Sequence, residues 1–172
     1  MQFDRLRRRE FITRLGGAAA AWPFVARAQQ TEQMRRVGVL MNLAADDAEG
    51  QARLTALAQG LQELGWTDGR NLRIDYRWGA GDTDRHRKYA AELVALAPNV
   101  ILASATQAVE ALRQATRTVP IVFVNVVDPV GAGYVNSLAR PGANASGFIM
   151  FDYGISVKWL ELLKEIAPQL KR

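Results

Sequence analysis

The sequence predicts an α/β protein built on a doubly wound parallel sheet, and three observations predict it. Short β-branched apolar runs alternate with amphipathic helical stripes at spacings of about thirty residues, the size of a βαβ unit. The runs are bounded by Gly, Pro, Asp and Asn, which punctuate regular structure. The run Ile121 to Val127 holds six apolar residues in seven and does not alternate, as expected of a strand buried on both faces. With 172 residues, 49% of them apolar, the chain suffices for one ordinary core.

Each element follows in order. Val37 to Met41 is the first strand, and it exits into the polar stretch Asn42 to Gly50. Leu54, Leu57, Ala58, Leu61 and Leu64 recur at helical spacing, with Gly65 as the stop. Asp68-Gly69 turns the chain into Leu72 to Trp78. There Leu72, Ile74, Tyr76 and Trp78 share one face and Arg73, Asp75 and Arg77 the other, the pattern of a half-exposed edge strand. Asp82 or Asp84 caps a second helix whose buried stripe is Tyr89, Ala90, Leu93, Val94 and Ala97. Val100 to Ala103 is the third strand, and Thr106 to Thr116 the third helix with Val109 and Leu112 inward. Pro120 opens the fourth strand, which Asp128-Pro129 ends. A short helical segment near Tyr134 to Leu138, a fifth strand from Ser146 to Met150 and an amphipathic tail from Ile155 to Leu170 complete the chain. The tail carries Trp159, Leu160, Leu163 and Ile166 on one side and needs a surface to cover them.

Composition narrows the function. There is no cysteine, which excludes disulfides, thiolate metal sites, a cysteine nucleophile and a lipidated cysteine. The net charge of +5 is concentrated at the front: residues 1–28 hold six arginines against Asp4 and Glu10, and the remainder carries only +1. Nucleic acid is therefore not an expected partner. The same 28 residues read as an export signal. A basic start precedes the apolar run Leu15 to Val25, Ala26-Arg27-Ala28 is a small-x-small cleavage site, and the run is shorter than the roughly 20 residues that span a bilayer. Arg8-Arg9-Glu10-Phe11-Ile12 resembles the twin-arginine export pattern, with Arg7 where that pattern prefers Ser or Thr. Cleavage after Ala28 and a periplasmic location are expected.

Ligands of open α/β sheets sit outside the carboxyl ends of the strands, where Asn42, Ser104, Thr106, Asn125 and Asp128 fall. A helix starting near Thr106 aims free N–H groups and a positive dipole at the crevice, which suits a carboxylate, and the Ser104 and Thr106 hydroxyls add donors. Asp128 suits an ammonium, so the set fits a zwitterion. The plainer alternative makes Ser104 or Thr106 a helix cap and Asp128 the start of a turn. Tyr76 and Trp78 suit stacking on an aromatic ligand, with core packing as the competing use. No Gly-x-Gly-x-x-Gly follows a strand and no Gly-Lys-Ser/Thr appears, so no nucleotide cofactor is expected. His86, the sole histidine, lies among Asp84, Arg85, Arg87 and Lys88 and reads as a solvated helix-face residue, so neither a metal nor a catalytic triad is expected.

Several ordered blocks carry a resemblance: Gly60-Leu-Gln-Glu-Leu-Gly-Trp66, Gly69-Arg-Asn-Leu72, Tyr76-Arg-Trp78, Ala91-Glu-Leu-Val94, Pro120-Ile-Val-Phe123, Asp128-Pro-Val-Gly131, Ser137-Leu-Ala-Arg-Pro-Gly142 and Lys158 to Pro168. Together, from about Arg35 to the end, they resemble the ABC-transporter substrate-binding proteins that include tryptophan and other aromatic amino-acid binders. The resemblance implies a type I periplasmic binding protein fold, with two α/β lobes of flavodoxin-like strand order closing on a small ligand. It also implies delivery to a membrane permease driven by an ATPase, contact with the membrane only through that permease, and no catalysis. Members are about twice this length, so residues 29–150 are expected to form the N-terminal lobe and residues 151–172 the crossover and first helix of a second lobe that is largely missing. One wall alone is not expected to bind tightly. Carried onto this chain, the first-lobe contacts fall at Asn42, Ser104, Thr106 and Asp128, with Asn125 and Tyr76 beside them. A competing reading is a sensory or regulatory ligand-binding domain of the same fold, which needs a DNA-binding segment where the export signal stands.

Overall fold

The computed structural model describes residues 34–150 and 153–169; the export signal predicted over residues 1–28 lies outside them. Five strands and four helices follow in chain order: β1 Arg35–Met41, α1 Ala48–Glu63, β2 Leu72–Trp78, α2 Thr83–Ala95, β3 Val100–Ser104, α3 Thr106–Ala115, β4 Ile121–Val126, β5 Ala145–Ile149 and α4 Tyr153–Ile166. All pairings are parallel, in the order β2-β1-β3-β4-β5. This is the doubly wound α/β sheet the alternating pattern predicts.

Handedness explains the layering. The chain steps one way from β1 to β2, then reverses and continues through β3, β4 and β5 in the other direction. Right-handed crossovers therefore put α1 on one face, and α2, α3 and the β4–β5 connection on the other. The second face holds the main core, where Leu93 of α2 and Val109 and Leu112 of α3 meet Leu40, Ile101, Ile121 and Phe123. Each such side chain contributes about 1.5–3 kcal/mol by leaving water. The first face is thinly covered. Gly50 of α1 fits against Trp78 where a Cβ would come within 2.9 Å of the ring, yet Leu54, Leu57 and Leu61 of α1 are only half-buried.

Local chemistry sets the boundaries. Asp47 and Asp82 cap α1 and α2 by accepting from Gly50 N and Arg85 N at 2.9 and 2.8 Å. Gly65, at φ 85°, lets the chain leave α1. On edge strand β2 the charged face is not simply solvated: Asp75 accepts from Arg36 Nε at 2.6 Å, and Arg77 Nε donates to Glu92 at 2.8 Å.

Three expectations need correction. Residues 134–138 contain no helix; Asp128 to Gly133 form consecutive turns instead, because Pro129 and two glycines favour turning. Tyr134 fastens that crossover by donating from its hydroxyl to Glu110 at 2.7 Å, under the guanidinium of Arg113. β4 is not a regular strand either. Between its pairs Phe123–Gly147 and Val126–Ile149 it carries one extra residue, and Asn125 takes φ 57° in that bulge. His86, read as solvated, is fully buried: Nδ1 donates to the Asp82 carbonyl at 2.7 Å, and its ring occupies the space a Cβ on Gly79 would need.

Candidate functional site

The chain reverses its direction across the sheet between β1 and β3, and open α/β sheets form their ligand crevice at that switch point. Asn42 follows the last residue of β1, Ser104 ends β3 and Thr106 opens α3. Leu40 pairs with Ala103, so Met41 is level with Ser104 on the adjacent strand and Asn42 lies one residue further along. β4 is the next strand, with Ser104 paired to Val124, so Asn125 and Asp128 extend the same rim.

The exits are tied together. Ala105 N donates to Val124 O at 3.0 Å and joins the β3 exit to β4. Gly79 N and Gly81 N donate to Met41 O and Asn42 O at 2.7 and 2.8 Å, and hold the β2 exit against that of β1. These bonds fix the backbone of the rim.

Two features at the β3–α3 junction stand out. Ser104 is 1% exposed, and its Oγ has no hydrogen-bond partner. Leaving a buried hydroxyl unpaired costs about 1–3 kcal/mol, so the position calls for a partner. The N-cap of α3 is Ala105, at φ 75° and ψ 168°, with no side chain closing the helix end. That region is essentially restricted to glycine and costs an alanine about 1–3 kcal/mol. Neither Ser104 nor Thr106 is therefore the helix cap that the plainer alternative supposed. The N–H groups of the first turn and the positive end of α3 follow Ser104 directly in sequence, and a helix end of this kind suits a carboxylate.

Asp128, at φ 46°, takes the turn role that the plainer alternative gave it. Its Oδ1 accepts from Gly131 N at 2.7 Å and starts the turn, which leaves the other carboxylate oxygen for a cation. Tyr76 stands apart from this group. It lies on β2, beyond β1, and lines a separate cavity of about 500 Å³ with Trp78, Arg85 and Tyr89. Burial, followed by the charge of Asp68, pushes the Tyr76 phenol above its ordinary value and keeps it neutral. Among the described residues no group of three or more His, Asp or Glu side chains is arranged to hold a metal. No described helix is long and apolar enough to cross a membrane.

Sequence reasoning singled out Tyr76 and Trp78 but missed Ala105 and the rest of the β2 cavity's lining. Nothing in an alanine signals a left-handed backbone. The cavity joins residues from the β1 exit loop, β2 and α2 that meet only after the edge strand has paired.

A parallel sheet with polar groups along one rim and an open helix end at its switch point defines a doubly wound α/β lobe with a candidate crevice. The chain belongs to the ABC transporter substrate binding protein family, whose model matches residues 36–172. A "Tyrosine-binding protein" from Clostridioides difficile (strain R20291) is 36% identical over 114 residues, which is 66% of this chain and 32% of that protein. Solved structures agree in fold. A conserved domain protein from Vibrio cholerae superposes with a TM-score of 0.68 at 34% identity. An ABC domain from Streptococcus pneumonia in complex with L-Trp superposes with 0.67 at 27% identity, as does a ligand-free, open substrate binding protein with adhesive properties from Clostridium difficile, with 0.67 at 31%. Each comparison covers 80% of this chain and 45% of the other. The chain thus spans less than half the length of the relatives it matches.

Proposed function

We propose that this chain is one wall of the extracytoplasmic solute-binding component of an ABC importer, and that its ligand is an amino acid, with aromatic ones favoured. The ligand carboxylate lies at Ser104 Oγ, Thr106 and the N–H groups of the first turn of α3. Its ammonium meets Asp128, and Asn42 and Asn125 flank it. The observation that carries this reading is the buried, unpartnered Ser104 hydroxyl at the strand end that leads into the uncapped helix α3. The tyrosine-binding relative and the L-Trp-bound neighbour support the ligand class. A carrier must release its ligand unchanged, so the site orients without reacting: a helix end contributes up to about 2 kcal/mol to a bound anion, and each charge-assisted hydrogen bond about 1.5–3 kcal/mol. Export through the twin-arginine-like leader with cleavage after Ala28, a periplasmic location, and delivery to a permease and its ATPase belong to the same proposal. The second wall, from the part of the fold this chain does not span, closes the site.

Calorimetry with L-tryptophan, L-tyrosine and L-leucine tests the proposal. The two aromatic ligands are expected to bind this single wall weakly, and Ser104→Ala and Asp128→Ala each to reduce that binding tenfold or more. Unchanged heats in both variants contradict the proposed orientation.

A further inference from the structure

We infer that the cavity beyond the carboxyl end of β2 is a second binding site, separate from the Ser104 rim, for a small aromatic carboxylate. Its volume of about 500 Å³ is that of a small-molecule pocket. Three aromatic residues from two elements contribute to its lining at the edge of the sheet: Tyr76 and Trp78 from β2, and Tyr89 from α2. Ala45 and Asp46 of the β1 exit loop also belong to its lining.

The charges decide the ligand class. Two arginines line the cavity, and one is already committed: Arg77 donates to Glu92 at 2.8 Å and to the Tyr76 carbonyl at 2.9 Å. Arg85 differs. Its backbone N–H is held by Asp82, but its guanidinium makes no hydrogen bond or ion pair among the described residues, so its planar fork is available to a carboxylate. Asp46, in the same lining, disfavours ligands with more than one negative charge and tolerates an ammonium. The aromatic walls offer faces for a ring, where stacking adds about 0.5–1.5 kcal/mol beyond burial.

This site does not restate the Ser104 rim. β1 lies between β2 and β3, which puts the β2 exit two strand spacings, roughly 10 Å, from Ser104. A one-ring ligand on Arg85 therefore cannot also reach the first turn of α3.

The test is an amide titration of the ¹⁵N-labelled 172-residue chain with 3-phenylpropionate. Saturable shifts are expected at Ala45, Asp46, Trp78 and Arg85, with affinity reduced tenfold or more in Arg85→Gln and unchanged in Ser104→Ala. Cyclohexanepropionate, which keeps the carboxylate and lacks the π face, is expected to bind several-fold more weakly. Shifts confined to Ser104, Thr106 and Gln107, no shifts at all, or equal affinity in Arg85→Gln overturn the inference. Because Arg85→Gln and Ser104→Ala report on different places, failure here leaves the proposed carboxylate site on α3 to its own test.

Discussion

Ser104 carries more of the functional reading than any other side chain, and its folding energetics are distinctive. A buried hydroxyl with a structural partner loses stability when removed, whereas one without a partner sheds a desolvation cost. Ser104→Ala is therefore expected to leave urea-unfolding stability unchanged or raise it by up to about 1 kcal/mol. A loss above about 2 kcal/mol would show that Oγ serves the fold. The residue types at the rim were legible in the sequence because strand exits can be counted from apolar runs. Their geometry was not. Asn125 takes its left-handed φ from an extra residue in β4, and neighbouring apolar residues give no sign of a bulge. His86 was misread for a related reason: its charged sequence neighbours face solvent, while helical periodicity turns position 86 toward Ala90 and Leu93, the buried side of α2.

At the scale of elements, the β3–α3 junction and the edge strand make separate predictions. Ala105 holds a backbone conformation suited to glycine, so Ala105→Gly is expected to stabilise the chain by about 1 kcal/mol in thermal unfolding. No change, or a loss, would mean that the alanine is not strained. On β2, the hydrogen bond from Arg36, followed by its charge and those of Arg73 and Arg77, holds the Asp75 carboxyl below its ordinary value despite opposing burial. A carboxyl depressed in the folded state adds stability above its unfolded pKa of about 4, and that contribution is lost as pH falls through the folded value. Asp75→Asn is expected to lower stability at neutral pH and to flatten its decline below about pH 4; equal slopes in the two proteins would remove Asp75 from the acid response. Strands β1 to β4 and helices α1 to α3 were legible because each has its own period and its own stop signal. The β4–β5 crossover was not, since its compactness comes from Tyr134 meeting Glu110, 24 residues away in sequence.

Across the whole molecule, the two faces of the sheet are unequal. α2, α3 and the β4–β5 crossover bury one face, while the other leaves Val122 and Val124 half-exposed and Phe148 73% exposed. α4 presents Trp159, Leu160, Leu163 and Ile166 to solvent. The sequence foretold an apolar tail in need of a surface, and the chain spans under half of its structural relatives. The parallel order also explains why polar residues scattered from position 42 to position 128 gather on one rim: every strand delivers its exit to the same end. The most direct measurement is a crystal structure of the chain soaked with L-tyrosine. A carboxylate within hydrogen-bonding distance of Ser104 Oγ and the Thr106 and Gln107 N–H groups, with the ammonium toward Asp128, is the predicted result. A ligand bound with its carboxylate elsewhere, and Ser104 Oγ still unpartnered, would contradict it.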